Sequence, residues 1–203
     1  MGQHWHNLSL DTTNILNPQF VFPSNDLSPF LQNDFKFYIQ VYEPAAILSD
    51  KLINTFNQLS LPLDVAVLFY RPPNTPPDKE CHLDIYHRDH TKIGEWAVNI
   101  LLQTNEPSYL RWHEIDSDPN PRSTGNVERT ADGLGYKKWD NRTTNIIDQC
   151  LMQNDTFTLV NTGFPHSIGH HDNARWCLSL RPHKSWSVQF QQAAETYFKD
   201  LIV

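Results

Sequence analysis

Residues 175–181, Arg-Trp-Cys-Leu-Ser-Leu-Arg, admit few settings in a folded chain. Side chains of a strand alternate between its two faces. Arg175, Cys177, Ser179 and Arg181 therefore fall on one side, and Trp176, Leu178 and Leu180 on the other. The apolar side needs a helix layer or a second sheet over it. The other side then turns two guanidinium groups toward an enclosed space, where an uncompensated charge is costly. Such a strand calls for an anion, either an Asp or Glu of the protein or the carboxylate of a ligand. A solvent-facing edge strand is the competing explanation for the arginine pair.

Similar short stretches precede it. Val65 to Tyr70 is an unbroken apolar run, as in a strand buried on both faces. Cys81 to Tyr86, Trp96 to Gln103, Tyr109 to Ile115 and Thr156 to Asn161 also read as strands, and Phe35 to Tyr42 is extended in character. Arg71 to Pro77 is a proline-rich loop. Pro44 suits a first helical turn, and Leu48, Leu52, Phe56 and Leu59 share a face, so one helix is expected up to Leu61-Pro62. A second is expected over Val188 to Ile202, with Phe190, Ala194, Tyr197 and Leu201 aligned.

Short strands flanked by helices, without βαβ alternation, indicate an antiparallel sandwich or barrel. The expectation is a mainly β fold, a jelly-roll core (double-stranded β-helix, cupin-like) with supporting N- and C-terminal helices. The chain's 203 residues fit a single domain. Supporting strands and a helix would occupy 1–62, the core 63–183, and the C-terminal helix 184–203. Within the core, 116–150 has a different texture, acidic and turn-prone with scattered Gly125, Gly133 and Gly135, and reads as a long insertion.

Sixteen basic residues against twenty-three acidic ones give a net charge of −7, which argues against a nucleic-acid backbone or an anionic membrane as the main partner. An apolar share of 39% with 12% aromatics is enough for a real core and argues against disorder. Cys81, Cys150 and Cys177 have no paired spacing, so neither a disulfide framework nor a zinc ribbon is expected. Reduced thiols, no apolar leader at the N-terminus and no membrane-length run point to a cytoplasmic protein.

His82-Leu83-Asp84 places an imidazole and a carboxylate on one strand face, roughly 7 Å apart along the backbone, where both can converge on one ion. His87-Arg88-Asp89 matches the same pattern, but its charged centre suits a turn, and His87 and His90 read as surface residues. His166, in Asn161-Thr-Gly-Phe-Pro-His-Ser-Ile, follows a strand and a tight turn. It is either a turn residue or the third ligand. Two histidines and a carboxylate make the facial triad of non-haem Fe(II) oxygenases.

His-x-Asp, a distant His, and an Arg nine residues further on within a strand, in this order, resemble the Fe(II)/2-oxoglutarate-dependent oxygenases. The likeness extends to the prolyl-hydroxylase-like branch and covers roughly 63–183, with VNTGFPHSIGHHDNARWCLSLRP similar to that family's distal half. The resemblance implies a catalytic Fe(II) held by His82, Asp84 and His166. It implies 2-oxoglutarate and O2 as co-substrates, with the far carboxylate of 2-oxoglutarate paired bidentately to Arg175. Tyr70 and Ser179 would supply hydroxyl groups, and Asn99, on the inward face of its strand, a further contact. The implied activity is that of a dioxygenase, hydroxylating a peptide side chain or a small metabolite; fold alone does not choose the substrate. His170 and His171 lie too near Arg175 for the family spacing. The insertion would reach the open metal face, with Tyr136 or Trp139 on the entry rim and Arg122 or Arg129 available to an acidic substrate. A cupin-type metal-binding protein is the first competitor, but it wants a His-x-His pair that residues 80–95 lack. A non-catalytic jelly-roll ligand-binding protein is the second.

Overall fold

The structure, a computed structural model, describes residues 3–23, 38–74, 81–85, 92–102, 108–116, 126–129, 135–139, 144–169 and 172–203. In chain order the strands are β1 (Trp5–Leu8), β2 (Tyr38–Tyr42), β3 (Leu63–Arg71), β4 (His82–Ile85), β5 (Ala97–Leu102) and β6 (Ser108–Ile115). They continue with β7 (Asn126–Arg129), β8 (Gly135–Lys138), β9 (Thr144–Met152), β10 (Phe157–Val160), β11 (His166–Ile168) and β12 (Arg175–Pro182). They form two six-stranded sheets, ordered β1-β10-β5-β12-β3-β2 and β7-β8-β4-β11-β6-β9. Every ladder within them is antiparallel. The pairing is nested: β3 lies against β12, β4 against β11, β5 against β10 and β6 against β9.

Strand β12 is interior to its sheet, between β3 and β5, and all of its residues are buried, which removes the edge-strand explanation. Trp176, Leu178 and Leu180 enter the main core with Ala66, Leu68 and Tyr70 of β3, Val98 and Ile100 of β5, Phe56, Phe190 and Phe198. Full burial of each such side chain contributes about 1.5–3 kcal/mol. Leu178→Ala would leave a cavity there and cost about 2–5 kcal/mol. The opposite face of β12 looks between the sheets, where Cys177 packs with Ala97, Leu101, Leu110, Trp112, Cys150, Met152 and Val160.

The single helix expected after Pro44 is instead two, α1 (Pro44–Ile47) and α2 (Asp50–Gln58). Leu48 is extended and bridges Leu16, and the Ser49 hydroxyl accepts from Leu52 N–H at 3.3 Å as the cap of α2. A serine that can cap a new helix stops the old one at little cost. Leu48, Leu52 and Phe56 still reach the same core. The C-terminal helix α3 (Phe190–Tyr197) is shorter than expected, because Leu201 and Ile202 turn back onto Phe198 O and Ile202 bridges Leu8.

The 116–150 segment is not simply a loop: it supplies β7, β8 and most of β9, which extend the second sheet beyond β4 and β6. The three cysteines are buried and form no disulfide. No helix among the described residues is long and apolar enough to cross a membrane.

Candidate metal centre

His82 and Asp84 project from one face of β4, and His166 on β11 stands directly opposite His82 in the register. Behind β4, Leu83 packs with Cys81, Ile115 and Trp139. That apolar backing fixes which side of the strand carries the polar pair. One ligand atom from each of His82, Asp84 and His166 lies within 4.8 Å of the others. His82 Nε2 is 3.8 Å and His166 Nε2 3.9 Å from the same carboxylate oxygen, Asp84 Oδ1. Asp84 and His166 are buried and His82 is half-buried, so the cluster opens on the His82 side.

His166 Nδ1 sits 2.9 Å from Phe164 O. A carbonyl only accepts, so Nδ1 carries the proton and Nε2 turns its lone pair toward Asp84. Burial, reinforced by the facing His82, pushes the His166 imidazole down to about 4. The ring is therefore neutral near pH 7, the form that ligates metal. Burial disfavours the Asp84 charge, but Arg181, followed by His166 and His82, outweighs it and holds the carboxyl below its usual range. Two imidazole nitrogens and one carboxylate oxygen facing a common point fit a divalent transition metal.

The anion that β12 calls for is, at Arg181, the protein's own. Arg181 Nη2 donates to Asp84 Oδ2 at 2.6 Å, Nε to Ser179 Oγ at 3.0 Å and Nη1 to Thr162 Oγ1 at 3.3 Å. Thr162 Oγ1 in turn donates to Gly94 O at 2.8 Å. Arg175 is buried on the same face, beside Cys177, whose thiol burial pushes up against the opposing pull of Arg175 and Arg181. Opposite Arg175 in the register stands a second buried arginine, Arg71 on β3. Arg71, expected in the proline-rich loop, instead ends β3 and shares the parity of Val65, Val67 and Phe69.

Ser179 and Asn99 both face the inter-sheet side, paired across β12 and β5. Among the described residues, Asn99 Oδ1 is buried without a hydrogen-bond partner. Tyr70 does not join them. It pairs with Trp176, their ring centroids 4.6 Å apart, in the core on the far side of the sheet. Strand parity is the reason: β3 presents Phe69 and Arg71, not Tyr70, to the face that carries Arg175 and Ser179.

Tyr136 on β8 pairs with Asp84 and sets its ring edge-on to His82, centroids 6.2 Å apart. Trp139 is instead buried behind β4 and cannot line a rim. His87, His90, His170, His171, Arg122 and the Arg129 side chain lie outside the described residues.

Fold and site together define a mainly β, two-sheet protein with a His-Asp-His cluster that is buried at Asp84 and His166 and opens at His82. Neither a protein-family model nor a curated protein matches the chain. Among solved structures it is similar to the X-ray structure of E. coli ycfD, at 14% identity and a TM-score of 0.40, over 89% of this chain and 42% of that one. The chain thus spans less than half the length of that protein.

Proposed function

We propose that the chain is an Fe(II)- and 2-oxoglutarate-dependent dioxygenase that hydroxylates a peptide side chain or a small metabolite on a jelly-roll core. The observation that carries this reading is the convergence of His82, Asp84 and His166 within 4.8 Å. The nested pairing, first core strand with last and so inward to β6 with β9, supports the jelly roll, since rolling up one long antiparallel hairpin produces that pattern.

His82, Asp84 and His166 would hold the iron. Bound there with 2-oxoglutarate and O2, iron supplies the oxidising power for C–H hydroxylation, with succinate and CO2 as co-products. The chain's residues prepare the place. The Phe164 carbonyl fixes the His166 ring with Nε2 toward the site. Arg175, with Arg71 across the ladder, brings two guanidinium groups to one end of the inter-sheet face, and Arg175 would pair with the far carboxylate of 2-oxoglutarate. Asn99 Oδ1 and the Ser179 hydroxyl flank that path. Leu101, Val160 and Cys177 give it an apolar wall that keeps water away from the charged pairs. Substrate would approach from the side of His82 and Tyr136, the more open edge of the cluster.

The test is anaerobic binding of Fe(II), or Mn(II) in its place, read as thermal stabilisation, followed by succinate release from 2-oxoglutarate in air. Succinate is measured first without substrate and then against a panel of peptides and metabolites. Failure to bind a divalent metal, or metal binding with no succinate under any condition, would overturn the proposal. The second outcome would favour a ligand-binding protein instead.

A further inference from the structure

We infer that Arg181 is the positioning residue of the metal centre: by holding Asp84 Oδ2 it confines that carboxylate to ligation through Oδ1 alone. The inference rests on the reading of His82, Asp84 and His166 as metal ligands.

The geometry separates the two carboxylate oxygens. Oδ2 takes the Arg181 Nη2 bond at 2.6 Å, while Oδ1 faces His82 Nε2 at 3.8 Å and His166 Nε2 at 3.9 Å. Arg181 cannot easily swing aside. Its side chain is 4% exposed, and Ser179 and Thr162 hold its other two nitrogen positions. Its guanidinium carbon lies 6.0 Å from the centre of the Trp186 ring, and that ring is pinned by Nε1 donating to Asp64 Oδ2 at 3.0 Å. A carboxylate tied at one oxygen by a fixed, charge-assisted bond cannot rotate to chelate an ion with both. One-oxygen ligation leaves more coordination positions open, and the proposed reaction needs them for its co-substrates.

Charge and positioning predict opposite results when Arg181 is removed, which makes the inference testable. A cation next to a metal site repels the metal, so deleting its charge alone would tighten binding. Deleting a group that orients a ligand loosens it, typically by about 10- to 100-fold.

The experiment uses the full chain, metal-free, titrated with Co(II). Affinity is measured by calorimetry and coordination by the visible absorption of the bound ion. The unaltered chain should bind one Co(II). Arg181→Met should bind it about 10- to 100-fold more weakly and with a changed absorption spectrum. Arg181→Lys, which can still donate to Oδ2, should recover part of both. Thr162→Val, which keeps the charge but releases Nη1, should shift the spectrum in the same sense and covers the case where Arg181→Met does not fold. Wild-type affinity and spectrum in these variants would overturn the role of Arg181 while leaving the metal site intact. Tighter binding in Arg181→Met would overturn it in favour of simple repulsion. No Co(II) binding by the unaltered chain would remove the metal reading itself, and this inference with it.

Discussion

Adding one methyl group at Gly94 tests how tightly the cluster is framed. A Cβ there would lie 2.7 Å from Trp186 Cζ3, 3.3 Å from Cε3 and 3.5 Å from Asp84 Cβ. Ordinary carbon contacts are about 3.5–4.0 Å, so the first is too close by roughly 1 Å. Trp186 has nowhere to go while its indole donates to Asp64 and Arg181 lies against its ring. The Gly94 backbone is no freer. Its N–H donates to Asp84 O at 2.9 Å, and its carbonyl accepts from Thr162, so any shift passes to a ligand-bearing strand and to the residue that steadies Arg181. Overpacking of this kind costs about 1–3 kcal/mol. If Trp186 gives way and loses Asp64, a hydrogen bond to a charged group worth about 1.5–3 kcal/mol goes too. A loss of 2 kcal/mol lowers a urea midpoint by about 1 M, taking a slope of about 2 kcal/mol/M. The assay is urea unfolding of Gly94→Ala with and without Mn(II), and both the midpoint and the metal-induced gain should fall. Gly169→Ala is the comparison: its Cβ would meet Tyr109 Cβ, an atom fixed to the β6 backbone, at 2.9 Å, so its midpoint should fall too, but no ligand residue is among its contacts and the metal-induced gain should persist. A Gly94→Ala protein with wild-type midpoint and wild-type metal response would refute the claim that this close approach holds the site.

Other outcomes follow from the same geometry. His82→Ala and His166→Ala should each abolish the rise in melting temperature that a divalent metal gives by mass action, while His87→Ala should keep it. Arg175→Ala should weaken 2-oxoglutarate binding to the metal-loaded protein by about 2–5 kcal/mol in a calorimetric titration, with Arg175→Lys restoring only part. Tyr70→Phe should leave that affinity unchanged, since its ring lies in the far core; a large loss would place Tyr70 in the site after all. Burial lowers the pKa of both His4, packed on Trp112 and Phe164, and His6, stacked on Phe190. A histidine with a depressed folded pKa binds its proton more readily when unfolded, so its stability contribution is complete above about pH 6.5 and is lost as pH falls below that. Urea midpoints should therefore drop between pH 7.5 and 5.5, and His4→Gln with His6→Gln should reduce the drop, His166, held down to about 4, supplying the remainder.

What was legible in the sequence, and what was not, divides along one physical line. Alternation within a strand is a local property, so β12 declared its two faces and β4 paired His82 with Asp84, with Leu83 turned the other way. The helix break at Ser49 and the strand at Thr144–Met152 were harder. A capping serine is also a tolerable helix residue, and in β9 a register shift opposite Trp112 and His113 breaks the period of two, leaving Ile146 exposed and Ile147 turned inward. Tyr70 failed for a deeper reason. Strand β3 is apolar on both faces, so nothing in Val65 to Tyr70 says which parity meets the arginines of β12. Only the register does, and register is a relation between two distant segments. It sets Arg71 opposite Arg175 and Tyr70 opposite Trp176. The partner of Arg181 was hidden for the same reason. The strand's charge pattern required an anion, and both a ligand and a protein carboxylate satisfied that requirement. The structure meets it at Arg181 with Asp84, a candidate metal ligand, so the two strongest polar signals in the sequence belong to one network. It follows that Arg175 and Arg181, equivalent in the alternation of β12, differ in setting: Arg181 donates to Asp84 of the cluster, while Arg175, six residues along the strand, stands opposite Arg71.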